Sequence, residues 1–71
     1  MPETINDFAS SNVRELKYEP SGSTLQIEFL NGSTYQYFDF PENIWEQFKN
    51  ASSKGEFIHQ NIRGQFRYAR V

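Results

Sequence analysis

The chain has 71 residues, a net charge of −2, an apolar fraction of 37% and no cysteine. That length holds one domain with one small core, and it excludes disulfides and thiolate metal centres, while the single histidine, His59, argues against a histidine-based one. No apolar run approaches the ~20 residues of a membrane span and the first residues lack a signal-peptide core, so the expectation is a cytoplasmic protein with no membrane partner.

Charge is unevenly placed. From Met1 to Phe48, Arg14 and Lys17 stand against eight acidic residues; from Lys49 onward, five basic residues stand against Glu56 alone. The basic end is available to an anionic partner, or it lies beside the acidic half of the same fold.

Residues 1–9 are polar, Pro-initiated and unpatterned, which predicts a loose, flexible N-terminal tail ahead of a single domain over 10–71. In the segment 10–19, Leu16 and Tyr18 alternate with Glu15 and Lys17, the period of a strand. Glu19-Pro20-Ser21-Gly22-Ser23 then reads as a turn in which Pro presets φ and Gly takes the awkward dihedral.

The stretch from Thr24 to Pro41 is a hairpin. Leu25, Ile27 and Phe29 alternate with polar residues, Asn31-Gly32 turns the chain, and a second strand rich in Thr and Tyr follows. Two registers are open. A two-residue loop sets Ile27 opposite Gln36 and exposes Tyr35 and Tyr37 as an aromatic platform. A three-residue loop with Gly32 left-handed sets Ile27 opposite Tyr35 and Leu25 opposite Tyr37. One residue of slip turns every side chain to the other face. The second register is favoured because it gives one consistent apolar face.

Pro41 suits the start of a helix, with Asp39 and Glu42 near its N-terminus and Lys49 near its end. Ile44, Trp45, Phe48 and Ala51 share one side, predicting an amphipathic helix of about three turns with Trp45 laid on the sheet. Ser53-Lys54-Gly55-Glu56 has the form of a capping box. It opens a second helix whose inner arc holds Phe57, Ile58, Ile62 and also Asn61. Gly64 weakens that helix. Phe66 and Tyr68 alternate with Arg67 and Ala69, predicting a short C-terminal strand; a continued helix, aligning Arg63, Arg67 and Arg70, is the alternative. The fold expected is α+β: a three-stranded antiparallel meander plus a short C-terminal strand, with two helices packed on one face.

Chemistry-bearing groups are sparse. His59 has no neighbouring Ser or Asp in sequence, the glycines are isolated rather than phosphate-cradling, and Glu42 and Glu46 lie one turn apart on a solvated helix face. The expectation is no catalytic residue, no metal, no cofactor and no enzyme activity. Arg63, Arg67, Tyr68 and Arg70 mix guanidinium groups with an aromatic, a set that pairs with phosphates and stacks on bases. The competing account pairs those arginines with the protein's own acids.

The ordered set Phe29-x-x-Gly32-x-x-Tyr35-x-Tyr37, then Pro41, then Ala51-Ser52-Ser53-Lys54-Gly55-Glu56-Phe57, then Ile62-Arg63 with Tyr68 and Arg70, resembles the KTSC domain, a family named for a C-terminal extension of some lysyl-tRNA synthetases. The resemblance spans about Val13 to Val71, with His59 where many members have Asn and Arg67 where Pro is frequent. It implies no established activity. It implies RNA or tRNA as partner, through the attachment to a tRNA-charging enzyme, and it points to Tyr35, Tyr37, Ser53, Gly55, Phe57 and Ile62 as family-motif positions beside Arg63, Tyr68 and Arg70. Gly55 is the position least explained by a structural role. Two functions stand at this point: a small non-catalytic module binding RNA or tRNA through its C-terminal Arg/Tyr surface, or a protein-interaction module using the sheet edge or an aromatic patch.

Overall fold

The computed structural model describes residues 2–71. Five strands, β1 (Glu3–Ile5), β2 (Val13–Glu19), β3 (Thr24–Phe29), β4 (Thr34–Tyr37) and β5 (Tyr68–Arg70), form one antiparallel sheet whose spatial order follows the sequence. Helix α1 (Glu42–Lys49) and the short α2 (Lys54–Phe57), which runs directly into one turn of π-helix at Ile58–Ile62, pack on the same sheet face. The fold is α+β, as the patterning predicts.

The hairpin adopts the three-residue loop. Leu25 pairs with Tyr37 and Ile27 with Tyr35. Phe29 N–H donates to the Ser33 carbonyl (2.8 Å), Gly32 N–H donates to the Phe29 carbonyl (3.0 Å), and Gly32 has φ +93°. Only a residue without Cβ enters that conformation cheaply, so Gly32 fixes which face every hairpin side chain occupies. Val13 and Leu16, three positions apart, both reach the inner face because the β2–β3 register shifts between Val13 and Glu15.

The core is made by Leu16, Tyr18, Leu25 and Ile27 from the sheet and by Phe40, Trp45, Phe48 and Ile62 from the covering segments, all at most 2% exposed. Trp45 stacks on Tyr18 at 5.2 Å between ring centroids, and Phe48 stacks on Phe57 at 4.9 Å.

The structure corrects five expectations. Residues Glu3–Ile5, expected within a loose tail, pair with Leu16–Tyr18 as a fifth strand, because Ile5 packs against the core and the Glu3 carboxylate is held from α1. In the β2–β3 turn the left-handed residue is Ser23 (φ 49°), not Gly22; Ser23 N–H closes the turn on the Pro20 carbonyl (3.3 Å) and its own carbonyl accepts from Phe40 N–H (2.8 Å). Helix α1 is shorter than three turns: it ends at Lys49, where Asn50 N–H closes on the Gln47 carbonyl. The capping box is half-formed. Ser53 Oγ accepts from Glu56 N–H (3.3 Å), while the Glu56 carboxylate turns instead to Gln60 Nε2 (3.1 Å). Asn61 is exposed rather than part of the inner arc. The turn ending there closes by an i→i+5 bond from Arg63 N–H to the Ile58 carbonyl (2.8 Å). Each residue then rotates less about the axis, which keeps Ile58 and Ile62 inward and swings Asn61 out.

Glu3 ties β1 to α1. Its Oε1 accepts from Trp45 Nε1–H (2.9 Å), and both its oxygens accept from Lys49 Nζ (3.2 and 3.1 Å), which also reaches Glu46 (2.9 Å). The indole N–H first, and then the ammonium, hold the Glu3 carboxyl below the usual carboxylate range. A lowered folded-state value means stability that is fully present above the ordinary carboxylate range and is lost as pH falls through that lowered value. Glu3→Gln is therefore expected to lower the melting temperature at pH 7, and the difference is expected to shrink as pH falls through that lowered value. With the Glu3 side chain about half exposed, the effect at pH 7 stays within about 1 kcal/mol; thermal melts across that pH range measure it.

A groove of tyrosines and arginines as the candidate binding site

The two helices do not cover the whole inner face. They leave a groove of about 590 Å³ between the π-helical turn and the β3–β4–β5 end of the sheet. Phe29, Tyr35, Tyr37 and Tyr68 form its floor. Alternation in the favoured register puts Phe29, Tyr35 and Tyr37 on this side, and the antiparallel pairing of β5 sets Tyr68 beside Tyr37 and Arg70 beside Tyr35. The phenol rings form a tilted cluster: Tyr68 lies 5.8 Å from Tyr35 and 5.6 Å from Tyr37, and Phe29 meets Tyr35 edge-on at 5.8 Å.

Burial differs along the floor. Tyr37 is 6% exposed and Tyr68 56%. Burial, and then the nearby Tyr68 hydroxyl, push the Tyr37 phenol up, with Arg63 acting in the opposite direction. The Tyr37 hydroxyl is thus uncharged at neutral pH.

One wall is the π-helical turn, with Ile58, His59, Arg63 and Gly64; Gly55 and Asn12 continue it. Gly64, at φ +77°, lets the chain leave the turn sharply toward β5. Arg70 sits at the β5 rim, its guanidinium 6.0 Å from the Tyr35 ring centroid and its Nη2 donating to Ser33 Oγ (3.2 Å). Among the described residues no carboxylate lines the groove, although the chain as a whole is acidic. Among the described residues neither Arg63 nor Arg70 has an acidic partner within 4.0 Å.

The structure therefore divides the four residues singled out in the C-terminal stretch. Arg63, Tyr68 and Arg70 converge on the groove. Arg67 turns away: its guanidinium lies 3.5 Å from the Asp39 carboxylate and 5.4 Å from the Phe38 ring. Because β5 is a strand, the single stripe of arginines that a continued helix would build does not exist.

The family-motif positions divide as well. Tyr35, Tyr37 and Gly55 line the groove, Ser53 caps α2, Phe57 stacks on Phe48, and Ile62 is fully buried. Glycine in a helix costs about 0.5–1 kcal/mol relative to alanine. Groove residues that the sequence pattern did not single out for binding are Asn12, Phe29, Asn31, Ser33, Ile58, His59 and Gly64. The hairpin register carried the signal for Phe29; the others come from loops and a helix whose convergence has no local sequence mark.

The comparisons with known proteins agree with this architecture. The family model for the KTSC domain matches residues 9–66. The chain belongs to the KTSC domain family. This KTSC chain is 43% identical over 61 residues to a lysine–tRNA ligase of Nostoc sp., an overlap covering 86% of the chain and 11% of the ligase. A protein of Stutzerimonas stutzeri is 33% identical over 63 residues, covering 87% of this chain and 89% of that one. The crystal structure of a KTSC domain protein from Yersinia pestis superposes with a TM-score of 0.89 at 32% identity, over 100% of this chain and 99% of that chain. The chain spans about a tenth of the length of the lysine–tRNA ligase it matches. No helix among the described residues is long and apolar enough to cross a membrane, and no group of three or more His, Cys, Asp or Glu among them is placed to hold a metal ion.

Proposed function

We propose that this KTSC domain is a non-catalytic module that binds single-stranded RNA, such as an unpaired segment of tRNA, in the tyrosine groove. The observation that carries the reading is the groove's composition: an aromatic floor with Arg63 and Arg70 at its sides and no carboxylate in its lining, in a chain of net charge −2. The exposed Tyr68 and the half-buried Tyr35 offer stacking surface to unpaired bases, each such stack being worth roughly 1–3 kcal/mol, and guanidinium groups without an acidic partner pair with phosphates. The similarity to lysine–tRNA ligases supplies the tRNA context.

The test is an NMR titration with a short single-stranded RNA, read at the arginine side chains and at Tyr68. Shifts are expected at Arg63, Arg70 and Tyr68 and not at Arg67. The Arg63→Ala/Arg70→Ala double variant is expected to bind weakly and to reduce the slope of log affinity against log salt by about 1.4, at roughly 0.7 per phosphate contact on a single strand. Arg67→Ala is expected to change either quantity little. An unchanged affinity in the double variant rejects the site.

A second reading uses the free edge of β5. Among the described residues that strand pairs only with β4, and all three of its residues are exposed, so its outer edge is able to accept a strand from a protein partner. Capture of a protein partner that survives nuclease treatment, and that is lost on placing proline in β5, favours this reading over the first.

A further inference from the structure

Gly55 weakens the short helix α2, whose second residue it is, and nothing in the fold calls for it. Its φ lies outside the left-handed region, and a Cβ placed there would stand 3.6 Å from Asn12 Nδ2, an ordinary contact distance. What a side chain at this position would do is cover the Asn12 carboxamide.

Asn12 is fixed through its backbone. Its N–H donates to Ser10 Oγ (3.2 Å), and its carbonyl accepts from Leu30 N–H (2.8 Å). Its side-chain amide makes no hydrogen bond among the described residues, although it stands in the groove wall. The groove's other asparagine is partly engaged, since Asn31 Oδ1 accepts from Ser33 N–H (3.0 Å). The Ser33 hydroxyl is held by Arg70. Of the two asparagines, Asn12 alone keeps both halves of its carboxamide free.

A carboxamide presents an acceptor and a donor side by side. A phosphate uses only the donor. The edge of an unpaired base uses both, and in a duplex that edge is already occupied or out of reach. Resting on the RNA reading above, we infer that Asn12 is the groove's base-reading residue, hydrogen-bonding the edge of an unpaired nucleobase stacked on the Tyr35–Tyr68 floor, with Gly55 keeping the approach open. Strand geometry gives the floor from Tyr37 to Ser33 a length of about 13 Å, room for a short unpaired segment.

The experiment is fluorescence anisotropy on the full chain with three labelled RNA hexamers: oligoadenylate, oligouridylate and an abasic ribose-phosphate strand. Asn12→Ala is expected to weaken binding of the base-bearing hexamers about tenfold and to leave the abasic strand unaffected. Gly55→Leu, which covers the same amide, is expected to do the same. Because the Asn12 side chain supports no bond within the fold, Asn12→Ala should keep the far-ultraviolet circular dichroism and melting temperature of the unmodified protein, which separates a reading role from a structural one. Full affinity in Asn12→Ala overturns the inference and leaves the arginine–tyrosine groove standing as an RNA site. Failure of the unmodified protein to bind any hexamer overturns both.

Discussion

Replacing Trp45 by alanine is expected to unfold the protein at physiological temperature. The indole is 1% exposed, stacked on Tyr18 at 5.2 Å and edge-on to Phe48 at 6.2 Å, and its N–H donates to Glu3 at 2.9 Å. Truncating a buried Trp to Ala costs about 3–5 kcal/mol. A domain of this size has a total stability of only a few kcal/mol, so the one substitution removes most or all of it. Urea titration followed by far-ultraviolet circular dichroism should find the variant unfolded, or nearly so, without denaturant. Trp45→Phe separates the two contributions: it keeps a stacked ring and loses the donor to Glu3, so a smaller loss of about 1–2 kcal/mol is expected. A Trp45→Ala protein as stable as the original would mean that the α1–sheet contact is not the centre of the core.

The second large effect is expected at Lys54, whose residue surface is 7% exposed. Its ammonium donates to the Lys49 carbonyl (3.0 Å) and the Ala51 carbonyl (2.7 Å) and lies 5.6 Å from the Phe8 ring centroid. These are carbonyls at and just beyond the end of α1, where the helix leaves acceptors without internal partners and where positive charge is favourable. Lys54→Met preserves the length and apolar stem and removes the donor. Two part-buried carbonyls then lose their partner, at a cost of about 2–4 kcal/mol. Chemical denaturation should show a lower midpoint with an unchanged slope. A methionine variant with the original midpoint would show that solvent replaces the ammonium at no cost.

How far the sequence reaches can be judged from particular residues. Alternation in Thr24–Phe29, together with the preference for a uniform apolar face, selects the hairpin register that the structure adopts, with Ile27 opposite Tyr35. Trp45 on the sheet and the Ser53 cap follow from spacing alone. Strand β1 does not. Of its three residues only Ile5 is apolar, and what fixes it is a carboxylate meeting Trp45 and Lys49, 42 and 46 positions away in sequence. Lys54 reads locally as an exposed residue inside a capping box, and its burial is set by where the preceding helix ends. The inward position expected of Asn61 assumed α-helical rotation, and no local residue pattern announces a π turn.

The candidate groove was half visible. Residues Arg63, Tyr68 and Arg70 carry recognisable chemistry in the sequence, as does Arg67, and residue chemistry alone does not separate Arg67 from the other arginines. Their separation depends on β5 joining β4, because pairing Tyr37 with Tyr68 turns Tyr68 and Arg70 to the inner side and leaves Arg67 to Asp39. Which part of an apolar sheet face stays uncovered depends on helix lengths and end points. Those quantities are the least well determined by periodicity.

Strand β5 has three residues, all exposed, on the rim of the sheet, and segments of that kind detach at low free energy while the rest of a domain stays intact. It nevertheless supplies Tyr68 to the groove's lining and Arg70 to its rim. Peeling it away therefore removes Tyr68 and the Arg70 rim from the candidate groove and leaves the Trp45-centred interior sealed. Occupancy of the groove and fastening of the C-terminal margin are, in consequence, a single thermodynamic event: whatever settles on Tyr68 also stitches the last residues to the sheet, and whatever frees those residues erases the place to settle.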